Sequence, residues 1–563
     1  MKKGILFLLA NLLPVMSVLA QPNKSELADP KPGDQQTWKA QKGITLGWGS
    51  IDVRYSRSQP TKGTASLKLK AWKGERVAAQ AVLSTTVDLQ KVCFSVSDLR
   101  CGSQVIGADN IKKYFVRYVL TDWHKNKKDS FLLADRLAPI EEMTVPAKTT
   151  RPLWLDVRVP TTAKAGMYKG TLTLLADGKK FSLPLQLQVL DHVLPAPSDW
   201  GFHLDLWQNP YAVARYYQVP LWSQQHFDIM RPIMTSYAEA GGKVITCSII
   251  QHPWNSQTYD PFESMIAKMK QLDGTWKYDY TVFDRWVEFM MDCGITQQID
   301  CYTLVPWQYK FDYYDCATNS TKYVGCKPKE AAYRELILPF LRDFAKHLKQ
   351  KGWFDITCIA MDERPMDQLE AAWNVVKEAD PGYRIEGAAN YNIESDVADR
   401  MYDLSVEFNY DLLKPEALAR RASKGQKITF YTCCFPDRPN TFTFSDPAES
   451  AYLGWHAMAC NYNGYLRWAY NSWPKLPCQD SRFPKWPSGD CFLVYPGESS
   501  IRFERLVEGI QAYEKIRLLR PTFNEAQNQQ LEEILKPFRV TKYDENVPAA
   551  DLINRATEWL NNQ

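Results

Sequence analysis

The feature that most constrains this chain is a change of hydrophobic period at Pro195, Pro197 and Ser198. Before it, stretches such as 78–84, 114–121, 153–159 and 168–175 alternate or run apolar, are rich in β-branched and aromatic residues, and are separated by turn residues. Residues 163–170 read as a turn entering a strand. Two packed antiparallel sheets, a β-sandwich, are the simplest structure for that pattern. From Trp200 onward, short apolar runs alternate with longer stretches of helical period. The runs are 201–207, 243–250, 296–305, 355–361, 383–389, 403–408 and 427–433, with an eighth near 453–459; the helical stretches include 283–293, 330–350, 366–378 and 415–422. Eight strands alternating with helices over roughly 260 residues predict a (β/α)8 TIM-like barrel. An open doubly wound sheet is the alternative, weakened because no glycine-rich phosphate loop follows the first strand. Residues 501–563 read as helical. The expected order is a signal peptide over 1–20, a β-sandwich over 21–195, a catalytic barrel over 196–500 and C-terminal helices over 501–563 packed on the barrel.

The amino terminus has a leader's features. Lys2 and Lys3 precede a largely apolar stretch, 4–19, and Val18 and Ala20 are small residues suited to cleavage before Gln21. The protein is therefore expected to be exported, periplasmic or secreted. No later stretch is apolar enough for a membrane span, and no cysteine near the cleavage point offers a lipid attachment. The 68 basic and 64 acidic residues nearly balance, two of the lysines lie within 1–20, and no dense basic run occurs. That balance argues against nucleic acid or an anionic membrane as partner. The 13 cysteines leave at least one unpaired; Cys316 with Cys326 and Cys478 with Cys491 are close enough in sequence to close loops. No CxxC pair or HExxH sequence suggests a metal, and no cofactor is expected. The 19 Trp, 29 Tyr and 24 Phe enlarge a core, but they also suit sugar rings, whose C–H faces pack flat on Trp and Tyr.

The chemistry concentrates at Asp362-Glu363. An apolar run ends there, and Pro365 cannot continue a ladder. In a barrel these acids sit at the carboxyl end of the fourth strand, the face where barrel chemistry occurs. The alternative is that Asp362 caps the next helix while Glu363 pairs with Arg364. Hydrolysis of a glycoside needs an acid for the leaving oxygen and stabilisation of an oxocarbenium-like centre, usually from two carboxylates. In substrate-assisted enzymes the 2-acetamido oxygen of the sugar attacks instead. The second carboxylate then orients the amide, and an Asp directly before the acid/base Glu suits that work. Glu407 and Asp205 are the other strand-end acids. Glu407 as nucleophile defines a rival two-carboxylate mechanism, and a non-catalytic sugar-binding protein is the rival outside enzymes.

Beyond this pair, a C-terminal block reads Gly464-Tyr-Leu-Arg-Trp-Ala-Tyr-Asn-Ser-Trp473, then Trp486-Pro-Ser-Gly-Asp490, Leu493-Val-Tyr-Pro-Gly497 and Ser500-Ile-Arg-Phe-Glu504. With the acid pair it resembles glycoside hydrolase family 123, exo-acting β-N-acetylgalactosaminidases, over nearly the whole chain. The resemblance implies a retaining, substrate-assisted release of terminal β-linked N-acetylgalactosamine from glycoconjugates such as glycosphingolipid glycans. Glu363 would be the acid/base and Asp362 the stabiliser of the 2-acetamido group. Among supporting residues, Tyr431 is a candidate donor to the acetamido oxygen, and Trp468 and Trp473 are candidate walls of its pocket. Asn471 and Asp490 are candidate partners of ring hydroxyls. His203 and His252 lie near the first and second strands and are expected on the active face. Each has a structural alternative: a buried tyrosine, core tryptophans, a turn, a backbone cap or a framework histidine.

Overall fold

The computed structural model describes residues 24–123, 126–255, 257–390 and 396–563; the expected leader, 1–20, lies outside the described residues. The N-terminal part is two face-to-face sheets. One runs in the order Ile44–Gly49, Arg76–Thr85, Thr149–Arg158, Ile111–Trp123, Asn126–Ala138 and Ser499–Ser500. The other runs Leu67–Lys73, Lys179–Val193, Gly166–Ala176, Leu89–Val96 and Glu142–Val145, with the short Leu99–Cys101 and Gln104–Ile106 at its side. Inward residues of both, among them Leu83, Phe115, Leu155, Leu172 and Leu185, form one apolar layer, as alternation requires. Ser499 and Ser500, far along the chain, extend the first sheet by pairing with Leu137 and Arg136.

The second part is a barrel of eight parallel strands: β1 His203–Leu206, β2 Val244–Ser248, β3 Gln298–Tyr302, β4 Thr357–Met361, β5 Arg384–Ala389, β6 Asp403–Glu407, β7 Lys427–Tyr431 and β8 Gly464–Arg467. Their spatial order is β1-β8-β7-β6-β5-β4-β3-β2. A single parallel bridge, Leu204 to Gly242, with the Lys243 amide donating to Leu204 O at 3.0 Å, brings β1 and β2 together and nearly closes the ring. Gly464 is required where β8 meets β1, because a Cβ there would lie 1.9 Å from His203 O.

One expected element is corrected. Residues 453–459 are not a strand but part of the helix Pro447–Ala459; the eighth strand is Gly464–Arg467. Every residue of that helix is buried. A helix apolar all round shows no amphipathic stripe, so its apolar run mimics a buried strand. It crosses the helix Ile501–Leu519 at Gly454 and Gly509, where a Cβ on Gly454 would fall 2.1 Å from Gly509 O. Ile501–Leu519 follows β8 and is, in chain order, the helix that completes the eighth β/α unit.

A further sheet lies after β2 and β3. Lys310–Asp315 and Ser320–Gly325 pair as a hairpin and join Ala267–Lys270 and Trp276–Asp279 in a four-stranded sheet. Cys316 stands by the hairpin's turn and Cys326 beyond its open end, so a six-residue strand, roughly 20 Å long, separates them. Both are free thiols, as are Cys478 and Cys491, so neither expected loop closure is made.

Candidate active site

The site lies at the end of the barrel where the strands terminate. Trp207, Tyr302, Ala360, Ala388, Tyr431 and Leu466 pack there with Trp254 and Phe262 from the loop after β2. This aromatic floor is dense: Trp207 lies 5.0 Å from Trp254 and 4.4 Å from Tyr302, centroid to centroid.

Asp362 and Glu363 stand on it. β4 ends at Met361, and Pro365 opens the helix Met366–Ala379, so the two acids fall where the alternation has just ceased. Asp362 bends the chain locally: its Oδ1 accepts the Glu363 amide at 2.9 Å. Its Oδ2 accepts the Trp307 indole N–H at 2.8 Å. Glu363 Oε1 accepts from the Tyr431 hydroxyl, reaching across the barrel from β7. Neither alternative for the acids is realised, since Glu363 makes no ion pair with Arg364 among the described residues. Instead Arg364 lies 4.8 Å from the ring centroids of both Trp307 and Tyr309, backing the indole that holds Asp362.

Burial pushes the Glu363 carboxyl up to about 7; the Tyr431 hydroxyl pulls it back, while the charges of Asp362 and Glu407 add to the rise. Burial also raises Asp362, opposed by the Trp307 indole, the Glu363 amide and the Arg364 charge. Both carboxyls are thus raised by burial, Asp362 against two N–H donors and the Arg364 charge, Glu363 against a single hydroxyl. Glu407, at the end of β6, is half-buried and raised by burial, with the Asn409 amide as its opposing donor.

The other expected residues divide. Tyr431 is at the site, with its hydroxyl on Glu363 rather than on open space. Trp468 is there too, half-buried beside the floor, with Trp486 edge-on at 5.7 Å. Asp490 is a buried brace, its Oδ1 accepting from Arg467 at 2.7 Å and from Trp468 at 3.2 Å. Asn471 clamps the loops after β1 and β8 through a reciprocal pair with the Asn209 backbone, at 2.8 and 2.9 Å. Trp473 is fully buried, donates to Val494 O at 2.7 Å and packs on Tyr216. His252 is on the active face, in the loop after β2. His203 is corrected: it is the first residue of β1, so it lies at the opposite end of the barrel. There its Nε2 meets Asp403 at 2.8 Å and its Nδ1 meets Lys427 at 3.2 Å. Sequence reasoning missed Arg364 and the task of Trp307. Only the cluster of aromatics at Trp307 and Tyr309 hinted at them, and no local signal pairs an indole with an acid 55 positions on.

The catalytic domain of glycoside hydrolase family 123 matches residues 207–519, and the N-terminal domain of that family matches residues 48–176. A solved structure of a family 123 glycoside hydrolase from Clostridium perfringens, described for glycolipid glycan hydrolysis, is 27% identical. It covers 92% of this chain and 97% of its own, with a TM-score of 0.82. A putative β-galactosidase from Bacteroides fragilis is 10% identical over 84% of this chain and 60% of its own, and its TM-score of 0.29 carries no argument about the fold. Among curated proteins none matches the chain. The match to the catalytic domain spans more than half of the residues, including both strand-end acids and the floor beneath them. The chain belongs to glycoside hydrolase family 123.

Proposed function

We propose that this glycosidase is an exo-acting β-N-acetylgalactosaminidase that releases terminal β-linked N-acetylgalactosamine from glycoconjugates, glycosphingolipid glycans among them, with retention and by substrate assistance. Glu363 protonates the leaving oxygen. The 2-acetamido oxygen attacks the anomeric carbon as that bond breaks, and the oxazolinium ion so formed carries positive charge on its ring nitrogen. Asp362, held by Trp307 and its own following amide, faces that charge and orients the amide. Glu363 then takes a proton from the water that opens the ring.

The observation that carries this reading is the unlike support of two adjacent acids. Asp362 accepts two N–H donors and has Arg364 nearby, which hold its carboxyl down against the rise that burial causes, whereas Glu363 is buried against a single hydroxyl and raised to about 7, which favours its acid. The rival, Glu407 as nucleophile, is supported by its position at the end of β6 and its electrostatic coupling to Glu363. A nucleophile must be ionised, and Glu407 has the weaker anion support of the two. Export through the leader at 1–20 is part of the proposal, since glycoconjugate substrates of this kind lie outside the cytoplasm.

A chromogenic β-N-acetylgalactosaminide assayed beside the matching 2-hydroxy galactoside tests it. The account expects turnover of the first and almost none of the second; comparable rates on both would remove the acetamido group from the mechanism.

A further inference from the structure

The loop leaving β7 carries the chain's only adjacent cysteines, Cys433 and Cys434, and neither has a part in the proposed reaction. Both are free thiols and both are half-buried. Their sulfurs lie 4.0 Å apart, close enough for one S–H to donate to the other. The pair borders the reacting groups. Cys433 packs against the aromatic floor. It stands two residues beyond Tyr431, whose hydroxyl donates to Glu363. Cys434 is followed by Phe435, which is 50% exposed, so the pair is reached from solvent on that side.

The surroundings fix one cysteine more firmly than the other. The Cys433 amide donates to Phe435 O at 2.9 Å, and its carbonyl accepts from the Asn440 side chain at 3.0 Å. Just before it, Thr432 is held by the Tyr465 hydroxyl at 2.6 Å and by Arg467, which donates to the Thr432 carbonyl at 3.2 Å. Among the described residues no side chain braces the Cys434 backbone in this way. The two thiols also differ in acidity. The hydrogen bond from Cys433 draws the Cys434 thiol below its ordinary value, against burial and the charges of Asp490 and Glu363. The same hydrogen bond, then burial, pushes the Cys433 thiol up. In exchange with a disulfide the thiolate is the attacking form, and a neighbouring thiol resolves the mixed disulfide.

We propose that Cys433 and Cys434 form a redox modification site, a vicinal dithiol that a low-molecular-weight disulfide oxidises to an internal disulfide, lowering turnover at Glu363. The Cys434 thiolate attacks one sulfur of the small disulfide, and the other sulfur leaves as a thiolate. The Cys433 thiol then gives up its proton and attacks the Cys434 sulfur, closing a ring through the 433–434 peptide and expelling the second small thiolate. The pair loses two electrons and two protons in all, and the small disulfide gains them as two thiols. Adjacent Cα atoms are about 3.8 Å apart, short of the roughly 4.4–6.8 Å that a relaxed disulfide spans. The ring is therefore strained and readily reduced, as a reversible modification requires. Bringing the sulfurs from 4.0 Å to a bonding distance of about 2.05 Å must move Cys434 and turn the Cys433 side chain out of its packing on the floor. That shift, two residues from Tyr431, disturbs the hydroxyl bonded to Glu363.

The test is kcat/KM on any chromogenic glycoside that the enzyme accepts, so the result does not depend on which sugar is released. It is measured after incubation with glutathione disulfide and again after dithiothreitol, with peptide mass spectrometry to read the state of the two sulfurs. The wild type is expected to gain a 433–434 disulfide and lose kcat/KM about tenfold, the scale of one disturbed hydrogen bond to a charged group. Dithiothreitol should reverse both. Cys434→Ser should match the reduced wild type and keep its rate in glutathione disulfide, whereas Cys433→Ser should stop at a mixed disulfide on Cys434. Free thiols at both positions in the wild type after incubation overturn the proposal without recourse to a variant. A 433–434 disulfide that leaves kcat/KM unchanged also overturns it, and so does an equal loss of activity in Cys434→Ser.

Discussion

Glu363 owes its acidity to where the chain stops being a strand. On the proposed mechanism its carboxyl, raised by burial to about 7, is the proton source for leaving groups that cannot depart as anions. Glu363→Gln is therefore expected to cut kcat/KM by about 10²–10⁴ on substrates with poor leaving groups and far less on activated aryl glycosides. In the wild type the rate should fall as pH rises through about 7. Equal small losses on both substrate classes would count against the acid role. Trp307→Phe removes an N–H donor from a carboxylate, worth about 1.5–3 kcal/mol or roughly ten- to hundredfold. That hydrogen bond holds the Asp362 carboxyl down against burial, so its loss should also move the acidic limb of the pH–rate profile to higher pH. An unmoved limb would make the indole a packing residue only. The acids were legible because residue type and strand end coincide at 362–363. The support of Asp362 was not, because a hydrogen bond from Trp307 is made by barrel closure rather than by local pattern. His203 was misplaced against its own place in the chain: it is the third residue of the run 201–207 and so stands toward the amino end of β1, whereas a barrel's active face lies at the carboxyl ends.

Seven of the eight barrel strands were legible as short apolar runs; the eighth was displaced by an all-buried helix whose period was hidden by its own burial. The small sheet over β2 and β3 was illegible because its strands are half-exposed and mix aromatic with charged residues, a pattern shared with loops. Within the barrel, inward positions carry more acids than its cations can match. Asp205, Asp300 and Glu386 are pushed far up from their ordinary values of 3.8, 3.8 and 4.5 by burial first and by neighbouring acids next: Asp205 by Asp403, Asp300 by Asp205 and Asp403, and Glu386 by Asp300, Asp205 and Asp403. Asp403 is held low because His203 and Lys427 face it. An acid with a raised folded-state pKa keeps a proton that the unfolded chain releases. Its contribution to stability is present below its unfolded value and is lost progressively as pH rises from there to the folded-state value. Glu386→Gln keeps the acceptor that the Tyr302 hydroxyl uses at 3.0 Å and removes the titration. The variant should gain stability relative to wild type as pH rises from about 5 to 8, by up to about 1.4 kcal/mol per pH unit. Denaturant midpoints across that range decide it; a difference that does not change with pH would mean Glu386 is ionised in the folded protein.

At the scale of the whole molecule, ion pairs weld the sandwich to the barrel. The helix Ile501–Leu519 sends Arg502 to Asp135 at 2.9 Å, Arg505 to Asp52 at 2.7 Å and Lys515 to Glu75 at 2.6 Å, and Arg136 meets Glu498 at 3.0 Å. Asp135 is fully buried and also binds Arg54 at 2.9 Å and the Tyr495 hydroxyl at 2.6 Å. Asp135→Ala leaves two cations facing an uncharged gap and is expected to cost about 3–5 kcal/mol. Calorimetry should show one transition in the wild type and a large drop in unfolding temperature in the variant. Two separate transitions in the wild type would show that the domains are not coupled. The sandwich thus acts as a fixed buttress for β8 and the loops that follow it, and so for the floor on which the acids stand. The measurement that bears most directly on the account is inhibition by a thiazoline analogue of N-acetylgalactosamine, with mass spectrometry after incubation with a 2-fluoro sugar. If the acetamido oxygen is the nucleophile, the thiazoline mimics the bicyclic intermediate and inhibits competitively and tightly. Asp362→Asn then weakens it by one to two orders of magnitude, and no covalent adduct forms. Indifference to the thiazoline together with a fluoro-sugar adduct on Glu407 would contradict the account.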